Sequence, residues 1–404
     1  MTTRSMAATE GGPPTSGDAL AVLQRCYEDR LAPLRERNGV VGVLGNAAPV
    51  ELVLAAGRRP VLVAPEPPHP TPFADPWMEP DFEWEQRSLV DRAVRGDFES
   101  LDLLIVTRSY HEVYYYLKEI VRQGQGPKVP PLYMYDLMQS QRPAVRPYGL
   151  NRTSDLLARL ERLAERPISD SDLRAAIALT NRRRRAIRDL LERRRQGQVS
   201  GATAVRAIGA GFFMDPSTYT ETLTAFLAEL PADGPASDLA GRPRLLVVPS
   251  EPLYRPALHD ALEAAGALVV AEDDWWGARA AGDDIPEDAP PMSAIFEKYF
   301  SDAPSLAVSP RAPREAWLRA QIERGDIDGV VFYVPPSDHL FGWYYPGLKA
   351  YLDERGVPSA LIRDDVLAAG GIEKIGAAVA GIVGSASASG VASGRGADAT
   401  KGVA

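Results

Sequence analysis

Two short polar segments carry residue types that could do acid–base chemistry. Ser109-Tyr110-His111-Glu112 follows one apolar run, and Ser337-Asp338-His339 follows another much later in the chain. If both runs are buried strands, both segments lie just past the carboxyl ends of strands, where ligands bind in parallel sheets. Their histidines and carboxylates are general acids and bases, and the same four groups would suit Zn²⁺ or non-haem iron. Such residues at loop ends are also commonly just solvated or capping, and the sequence leaves all three interpretations open.

Further polar and aromatic residues stand at other predicted strand ends. Asn46 follows an early strand, where its amide could reach a ligand. Asp274 and Arg279 flank Trp275-Trp276 after a later strand, and such a set could line an acyl or adenine pocket. Trp343 lies in another aromatic stretch and allows the same interpretation. The alternative is that these rings are buried against a neighbouring lobe or subunit.

Short apolar runs that alternate with segments of helical spacing must position these residues. The runs lie at 40–44, 60–64, 101–107 and 131–135 in the first half, and at 244–248, 268–271, 329–334 and 358–362 in the second. Strand–helix alternation is typical of parallel sheets with helices on both faces. We therefore predict an α/β fold of two Rossmann-like, doubly wound parallel-sheet lobes with a helical bridge.

The bridge is predicted from the stretch between the two sets of runs, which has helical spacing throughout. Ser169 and Asp170 are typical N-capping residues for the long helix that follows them. The predicted order is a disordered N-terminus, a first lobe, the bridge, a second lobe and a disordered tail, at 1–18, 19–150, 151–232, 243–378 and 383–404. Both termini are assigned as disordered from their bias toward small and polar residues.

Composition excludes several classes of function. A net charge of −9 argues against nucleic acid as the main partner, because phosphate binding requires a positive surface. The N-terminus lacks the apolar core of a signal peptide, and no uninterrupted apolar run reaches the roughly 18 residues of a membrane span. Cys26 is the single cysteine, which precludes an intrachain disulfide and fits a reducing, cytoplasmic location. No GxGxxG or Walker A motif supports nucleotide binding.

Several short sequence motifs, which occur in a fixed order, resemble those of a known family. They are Pro49–Gly57 with Pro60-Val61, then Ser169-Asp170 with Asn181 and Arg185, then Gly266, Val269, Asp273-Asp274 and Gly277-Ala278-Arg279, and finally Trp343, Tyr345–Lys349, Gly356-Val357-Pro358 and Asp364-Asp365. Together they resemble the D-component-like subunits of 2-hydroxyacyl-CoA dehydratases and benzoyl-CoA reductases. The similarity runs from about residue 38 to residue 370.

The resemblance implies a particular chemistry. Family members work as paired subunits on an acyl-CoA thioester, and an ATP-dependent activator protein supplies one electron. A typical subunit contributes three cysteines to a 4Fe-4S cluster. The resemblance also makes Glu51 a candidate catalytic residue near the substrate thioester. The alternative is that Glu51 caps or pairs at the first turn of its helix, where the helix dipole favours a carboxylate.

This sequence departs from the family at the cluster. The resemblance places the three cysteines around Glu83-Trp84, Ser109-Tyr110 and Ser337-Asp338, and none of these residues is Cys. Cys26 matches none of the three positions, and we interpret it as a small packing residue. We therefore expect no cluster held by this chain alone.

Three functions remain open from the sequence. The first is the cluster-free, substrate-binding or structural half of a dehydratase or reductase, in a homo- or hetero-oligomer with a family paralogue. The second is a stand-alone acyl-CoA lyase that uses acid–base or divalent-metal chemistry. The third is a non-catalytic protein that binds an acyl-CoA or another small molecule.

Overall fold

Two parallel sheets of four strands organise the chain in the computed structural model. The structure describes residues 18–36, 39–66, 69–80, 82–138, 140, 142–250, 252–302, 311–335, 338, 341–363 and 371–388. The strands of the first sheet are β1 (Val40–Leu44), β2 (Arg59–Leu62), β3 (Leu103–Thr107) and β4 (Leu132–Tyr135). Those of the second are β5 (Arg244–Pro249), β6 (Leu268–Glu272), β7 (Gly329–Tyr333) and β8 (Ser359–Ile362). The predicted α/β fold with two parallel-sheet lobes is confirmed.

Both sheets have the same topology. The strand order is β2-β1-β3-β4 in the first and β6-β5-β7-β8 in the second. All residues of β1, β3 and β7 are buried, as expected for central strands covered on both faces. In each sheet the second strand lies on one side of the first, and the third and fourth strands lie on the other side. The order therefore changes direction between β1 and β3, and between β5 and β7. The crevice at the carboxyl ends of these two strands is the usual ligand site of such folds.

Helices cover the sheets and connect them. They are α1 (Ala19–Glu28), α2 (Val50–Ala55), α3 (Trp84–Arg95), α4 (His111–Arg122), α5 (Val145–Ala164), α6 (Asp170–Arg195), α7 (Gly201–Ala210), α8 (Pro216–Glu229), α9 (Ala257–Ala264), α10 (Pro291–Asp302), α11 (Arg311–Glu323), α12 (Tyr345–Asp353) and α13 (Gly371–Ala388). α6 begins with a capping box in which Ser169 and Asp172 each bond the other's backbone N–H. This reciprocal cap fixes the start of the longest of these helices.

Packing across the chain does not follow the linear order of the predicted segments. α1 packs on α7 and α8, although it precedes the first sheet. α10 comes from the second half of the chain, yet its Ile295 and Phe296 lie in the same hydrophobic cluster as Val41 and Ile105 of the first sheet. Part of the hydrophobic core of the first lobe is therefore supplied by α10, a helix that follows β6 of the second sheet in the sequence.

The C-terminal helix continues past the predicted start of the disordered tail at residue 383. Ile375, Val379 and Ile382 recur on one face of α13 and are buried against the second sheet, which holds this helix in place. Residues 1–17 and 389–404, the remainder of the predicted disordered ends, lie outside the described residues. Within the described part of the chain, no helix combines the length and apolarity needed to cross a membrane.

Candidate functional site

A cavity of about 140 Å³ lies where the carboxyl end of β1, α6, α10 and the loop after β6 meet. The β1–α2 loop contributes Asn46 to its wall. α6 contributes Arg183 and Arg184, and α10 contributes Lys298 and Tyr299. An apolar cavity of about 150 Å³ is large enough for a benzene molecule. The cavity can therefore accept a small organic group beside a strand end.

The turn after β1 requires a glycine. Gly45 has a φ of +91°, a left-handed conformation that glycine adopts without steric cost. A Cβ at this position would lie 2.1 Å from the hydroxyl oxygen of Thr107. That hydroxyl donates a 2.8 Å hydrogen bond to the carbonyl oxygen of Leu44. The close approach of the β1 and β3 ends brings Asn46 to the cavity wall.

A fully buried carboxylate lies behind the cavity. Glu51 Oε1 accepts a 2.5 Å hydrogen bond from Arg184 Nη2, and Oε2 accepts a 2.9 Å bond from the Tyr299 hydroxyl. Burial alone would raise the pKa of Glu51, but the charge and hydrogen bond of Arg184 outweigh it and lower the pKa. Burial and the charge of Glu51 raise the pKa of Tyr299 well above its usual value. Glu51 is therefore ionised, and it orients two cavity-lining side chains.

The positive charge of Arg279 in the cavity wall is balanced. Its Nη1 lies 2.8 Å from Asp273 Oδ1, and Arg314 Nε lies 2.6 Å from Oδ2 of the same carboxylate. Asp273 follows the last residue of β6, so this strand end anchors both guanidinium groups. The ion pair fixes Arg279 at the cavity.

Arg183 differs from these two arginines. Its guanidinium stacks over the rings of Phe212 and Tyr219, at 5.2 Å and 5.4 Å from the ring centroids. In the described part of the chain no carboxylate pairs with it, and its buried Nε has no hydrogen-bond partner. Desolvation by burial lowers the pKa of Arg183, but a guanidinium remains charged at neutral pH. The wall thus carries a guanidinium with no carboxylate at ion-pair distance among the described residues, although the more distant charge of Glu51 also acts on it.

No residue of the segment 109–112 lines this cavity, although the Tyr110 ring lies beside Gly45, which does. Tyr110 ends a short 3-10 turn, and its hydroxyl contacts the hydroxyl of Tyr254 from the loop after β5. His111 begins α4 with a half-exposed ring whose Nδ1 lies 3.0 Å from Glu112 Oε2. Ser109 is half-buried on the same turn. The acid–base and ligand-binding roles expected here stay predictions.

The corresponding segment of the second lobe is described only in part. Asp338 Oδ1 accepts a 3.0 Å hydrogen bond from the backbone N–H of Gly342. Trp343 is 84% exposed on the surface. Ser337 and His339 lie outside the described residues. Among the residues that are described, no three His, Cys, Asp or Glu side chains are grouped so as to hold a metal ion, and the metal alternative stays a prediction.

Asp274 is buried and engaged with the backbone. Its two oxygens accept hydrogen bonds from the N–H groups of Leu253 and Trp276, at 2.7 Å and 3.1 Å. Burial raises the pKa of this carboxyl to about 7 despite the two hydrogen bonds. Of the adjacent tryptophans, Trp275 lines the cavity, and Trp276 is fully buried in the core.

The sequence indicated some residues of the cavity but not the contribution of α10. Asn46 and Arg279 line the cavity, and Glu51 lies directly behind it. Arg183 and Arg184 belong to the basic run Arg182–Arg185, for which the sequence leaves contact with CoA phosphates, with an acidic partner or with solvent alone open. Lys298 and Tyr299 were not singled out. One signal was available, because Thr180, Arg184 and Ile187 fall on the buried face of α6, and a charged residue on such a face needs a partner.

Comparison with known proteins now assigns the chain to a family. The profile of the 2-hydroxyglutaryl-CoA dehydratase D-component family matches residues 46–374, most of the chain. The chain belongs to this family. The resemblance found in the sequence is therefore confirmed.

Individual members of the D-component family are distant from this chain. It is 22% identical over 215 residues to the (R)-phenyllactyl-CoA dehydratase beta subunit of Clostridium sporogenes, covering 52% of this chain and 56% of that protein. It is 24% identical over 249 residues to subunit beta of the (R)-2-hydroxyglutaryl-CoA dehydratase of Acidaminococcus fermentans, covering 59% and 64%. The chain thus matches less than two thirds of the length of either relative.

The residues of this D-component chain do not fit an iron–sulfur cluster. Glu83 and Trp84 stand at the start of α3, and Tyr110 contacts Tyr254, so these positions offer no thiolate. Cys26 is half-buried on α1, and desolvation raises the pKa of its thiol. A cluster needs several thiolates, which one cysteine cannot supply.

Proposed function

We propose that this chain is the cluster-free, substrate-binding half of a 2-hydroxyacyl-CoA dehydratase-type enzyme. Membership in the D-component family over residues 46–374 is the observation that carries the proposal. The two relatives named above are beta subunits of dehydratases, which supports a role beside a second subunit. A family paralogue would hold the cluster, and an ATP-dependent activator protein would serve that paralogue.

In this proposal the acyl part of the thioester occupies the cavity beside β1. Val43, Ile187 and Trp275 give apolar walls, and the amide of Asn46 lies at the same strand end. Arg184 and Tyr299 are fixed by Glu51 and offer a constant polar surface. A cavity with a few oriented polar groups on apolar walls is typical of small-molecule sites.

The role of Glu51 in this proposal is to position its neighbours. Both carboxylate oxygens are already hydrogen-bonded, and the lowered pKa keeps the group ionised at neutral pH. Proton transfer by Glu51 would require one of these bonds to open first. Direct acid–base catalysis by Glu51, His111, Asp338 or His339 stays a prediction.

The experiment that tests the proposed function compares the chain with and without a partner. The chain, a cysteine-bearing paralogue from the same host and an activator protein are purified without oxygen, and dehydration of 2-hydroxyacyl-CoA thioesters is measured. We expect turnover only when all three proteins, ATP and a low-potential reductant for the activator are present. Turnover by the lone chain would instead indicate a stand-alone lyase. Thioester binding without turnover in any combination would indicate a binding protein.

A further inference from the structure

Most arginines in the C-terminal part of α6, residues 182–195, are paired with other side chains. Each of six arginines bonds an acidic or amide side chain: Arg184 with Glu51, Arg185 and Arg188 with Asp284, Arg193 with Gln198, Arg194 with Glu272, and Arg195 with Asp326. The remaining two members of the run are Arg182 and Arg183. Arg182 is exposed to solvent, where a charge needs no partner. Arg183 lines the cavity instead.

Leaving a largely buried guanidinium without an anion is costly. The Arg183 guanidinium contacts two aromatic rings, and its Nε is shielded from solvent with no acceptor in the described residues. A buried charge is normally paired, because the loss of hydration must be offset by an opposite charge. The planar guanidinium fork matches a carboxylate with two parallel hydrogen bonds.

A second polar group beside the cavity also lacks a partner. The hydroxyl of Tyr219 is buried and bonds no acceptor or donor in the described part of the chain. The Tyr219 ring packs against Gly211, where an added Cβ would lie 2.6 Å from the ring. Gly211 and Phe212 both line the cavity. Tyr219 itself does not line the cavity. Its ring packs directly behind the part of the wall that Gly211, Phe212 and Arg183 form.

We propose that the cavity binds a small carboxylate with an apolar body of about six carbons, and that its carboxylate pairs with Arg183. The apolar body lies against Val43, Ile187 and Trp275. The carboxylate belongs either to a free acid or to the far end of an acyl chain on a larger molecule. The proposed function assigns the acyl part of the thioester to this same cavity, so the acyl-chain case rests on that function. Turnover with the partner proteins tests the subunit role separately, and failure of carboxylate binding would leave that role open.

The test is calorimetric titration of the purified full chain with matched acids and amides. Hexanoate and benzoate are compared with hexanamide and benzamide, which have the same shape without the charge. We expect the acids to bind at least about tenfold more tightly, which corresponds to about 1.4 kcal/mol, since only the acids carry the negative charge that pairs with Arg183. Equal binding of acids and amides, or no binding of either acid, would overturn the proposal.

Two variants locate the site. Arg183→Gln is expected to weaken hexanoate binding about tenfold or more, whereas Arg182→Gln removes the same charge from the exposed neighbour and should leave binding unchanged. Ala280 also lines the cavity, so Ala280→Leu narrows it with Arg183 intact and keeps the test valid if Arg183→Gln does not fold. We expect it to abolish binding. Full affinity in Ala280→Leu or in folded Arg183→Gln would overturn the proposal.

One further pair of ligands distinguishes a free acid from the carboxylate end of an acyl chain. Adipyl-CoA carries a free carboxylate at the far end of its acyl chain, and hexanoyl-CoA has the methyl group there. Binding of hexanoate but not of adipyl-CoA assigns the site to a free acid. Adipyl-CoA binding that exceeds that of hexanoyl-CoA, and that is lost in Arg183→Gln, assigns it to the end of an acyl chain.

Discussion

The hydroxyl of Tyr299 donates a 2.9 Å hydrogen bond to the buried carboxylate of Glu51, a residue 248 positions earlier in the chain. Arg184 binds the other oxygen of the same carboxylate. Glu51 lies on α2, Arg184 on α6 and Tyr299 on α10, so one carboxylate joins the first lobe, the bridge and the second half of the chain. Arg184 and Tyr299, the two residues bonded to this carboxylate, both line the cavity beside β1.

Glu51→Gln should destabilise the protein strongly. The substitution removes the carboxylate that neutralises the buried charge of Arg184 and leaves it only neutral acceptors such as Thr180 and Asn181, which costs about 3–5 kcal/mol. Urea unfolding at pH 7 measures the change in the free energy of unfolding. The control is Glu192→Gln, which removes the weak, half-exposed pair with Arg324 and should cost no more than about 1 kcal/mol. Equal effects of the two substitutions would contradict the role assigned to Glu51.

Gly211→Ala should destabilise the protein through packing alone. The φ of Gly211 is −66°, which alanine adopts freely, but its Cβ would lie 2.6 Å from the ring of Tyr219. Overpacking of this kind costs about 1–3 kcal/mol. Gly376→Ala is the matched control, because nothing lies within 4 Å of a Cβ there and the residue is inside α13. We expect that change to stabilise the helix by up to about 1 kcal/mol, and a drop in melting temperature for both variants would contradict this account.

The raised pKa of Asp274 should make the free energy of unfolding depend on pH. Because burial raises its pKa to about 7 in the folded protein, the neutral carboxyl stabilises the fold at low pH. That contribution is complete below the unfolded pKa of about 3.9 and is lost as the pH rises through 7, by at most about 1.4 kcal/mol per pH unit. Between pH 5 and pH 8, urea unfolding should show wild type losing stability relative to Asp274→Asn. A constant difference across this range would contradict the raised pKa.

Tyr110→Phe tests the contact between the ends of the two sheets. The hydroxyls of Tyr110 and Tyr254 meet between the loops after β3 and β5, and removing one of them should cost about 0.5–1.5 kcal/mol. Tyr115→Phe is the control, since the Tyr115 ring is exposed on the next helix. Unfolding free energies that are the same for both variants would show that the contact adds nothing to stability.

Local features of this chain were predictable because their causes are local. The apolar runs of β1 and β3 predict buried parallel strands, and Ser169 marks the start of α6 through a cap that spans three residues. Gly57 follows α2 with a φ of +68°, a conformation that glycine favours at a helix end. These signals depend on propensity and spacing within about ten residues.

The cavity was harder to predict because its contacts join distant parts of the chain. Glu51 and Arg184 are 133 positions apart, and Glu51 and Tyr299 are 248 apart. Neither periodicity nor capping rules carry information over such separations. The arginine run of α6 gave no indication that Arg183 alone would face the cavity without a carboxylate, because that depends on where each partner folds.

The most direct test of the central claim is iron and acid-labile sulfide analysis after purification without oxygen. The tagged chain is isolated from its native host, and the chain and any family member that elutes with it are then separated and analysed. We predict no stoichiometric iron or sulfide on this chain, and about four irons on a cysteine-bearing paralogue. Stoichiometric iron and sulfide on the lone chain would contradict the assignment of this subunit as the cluster-free half.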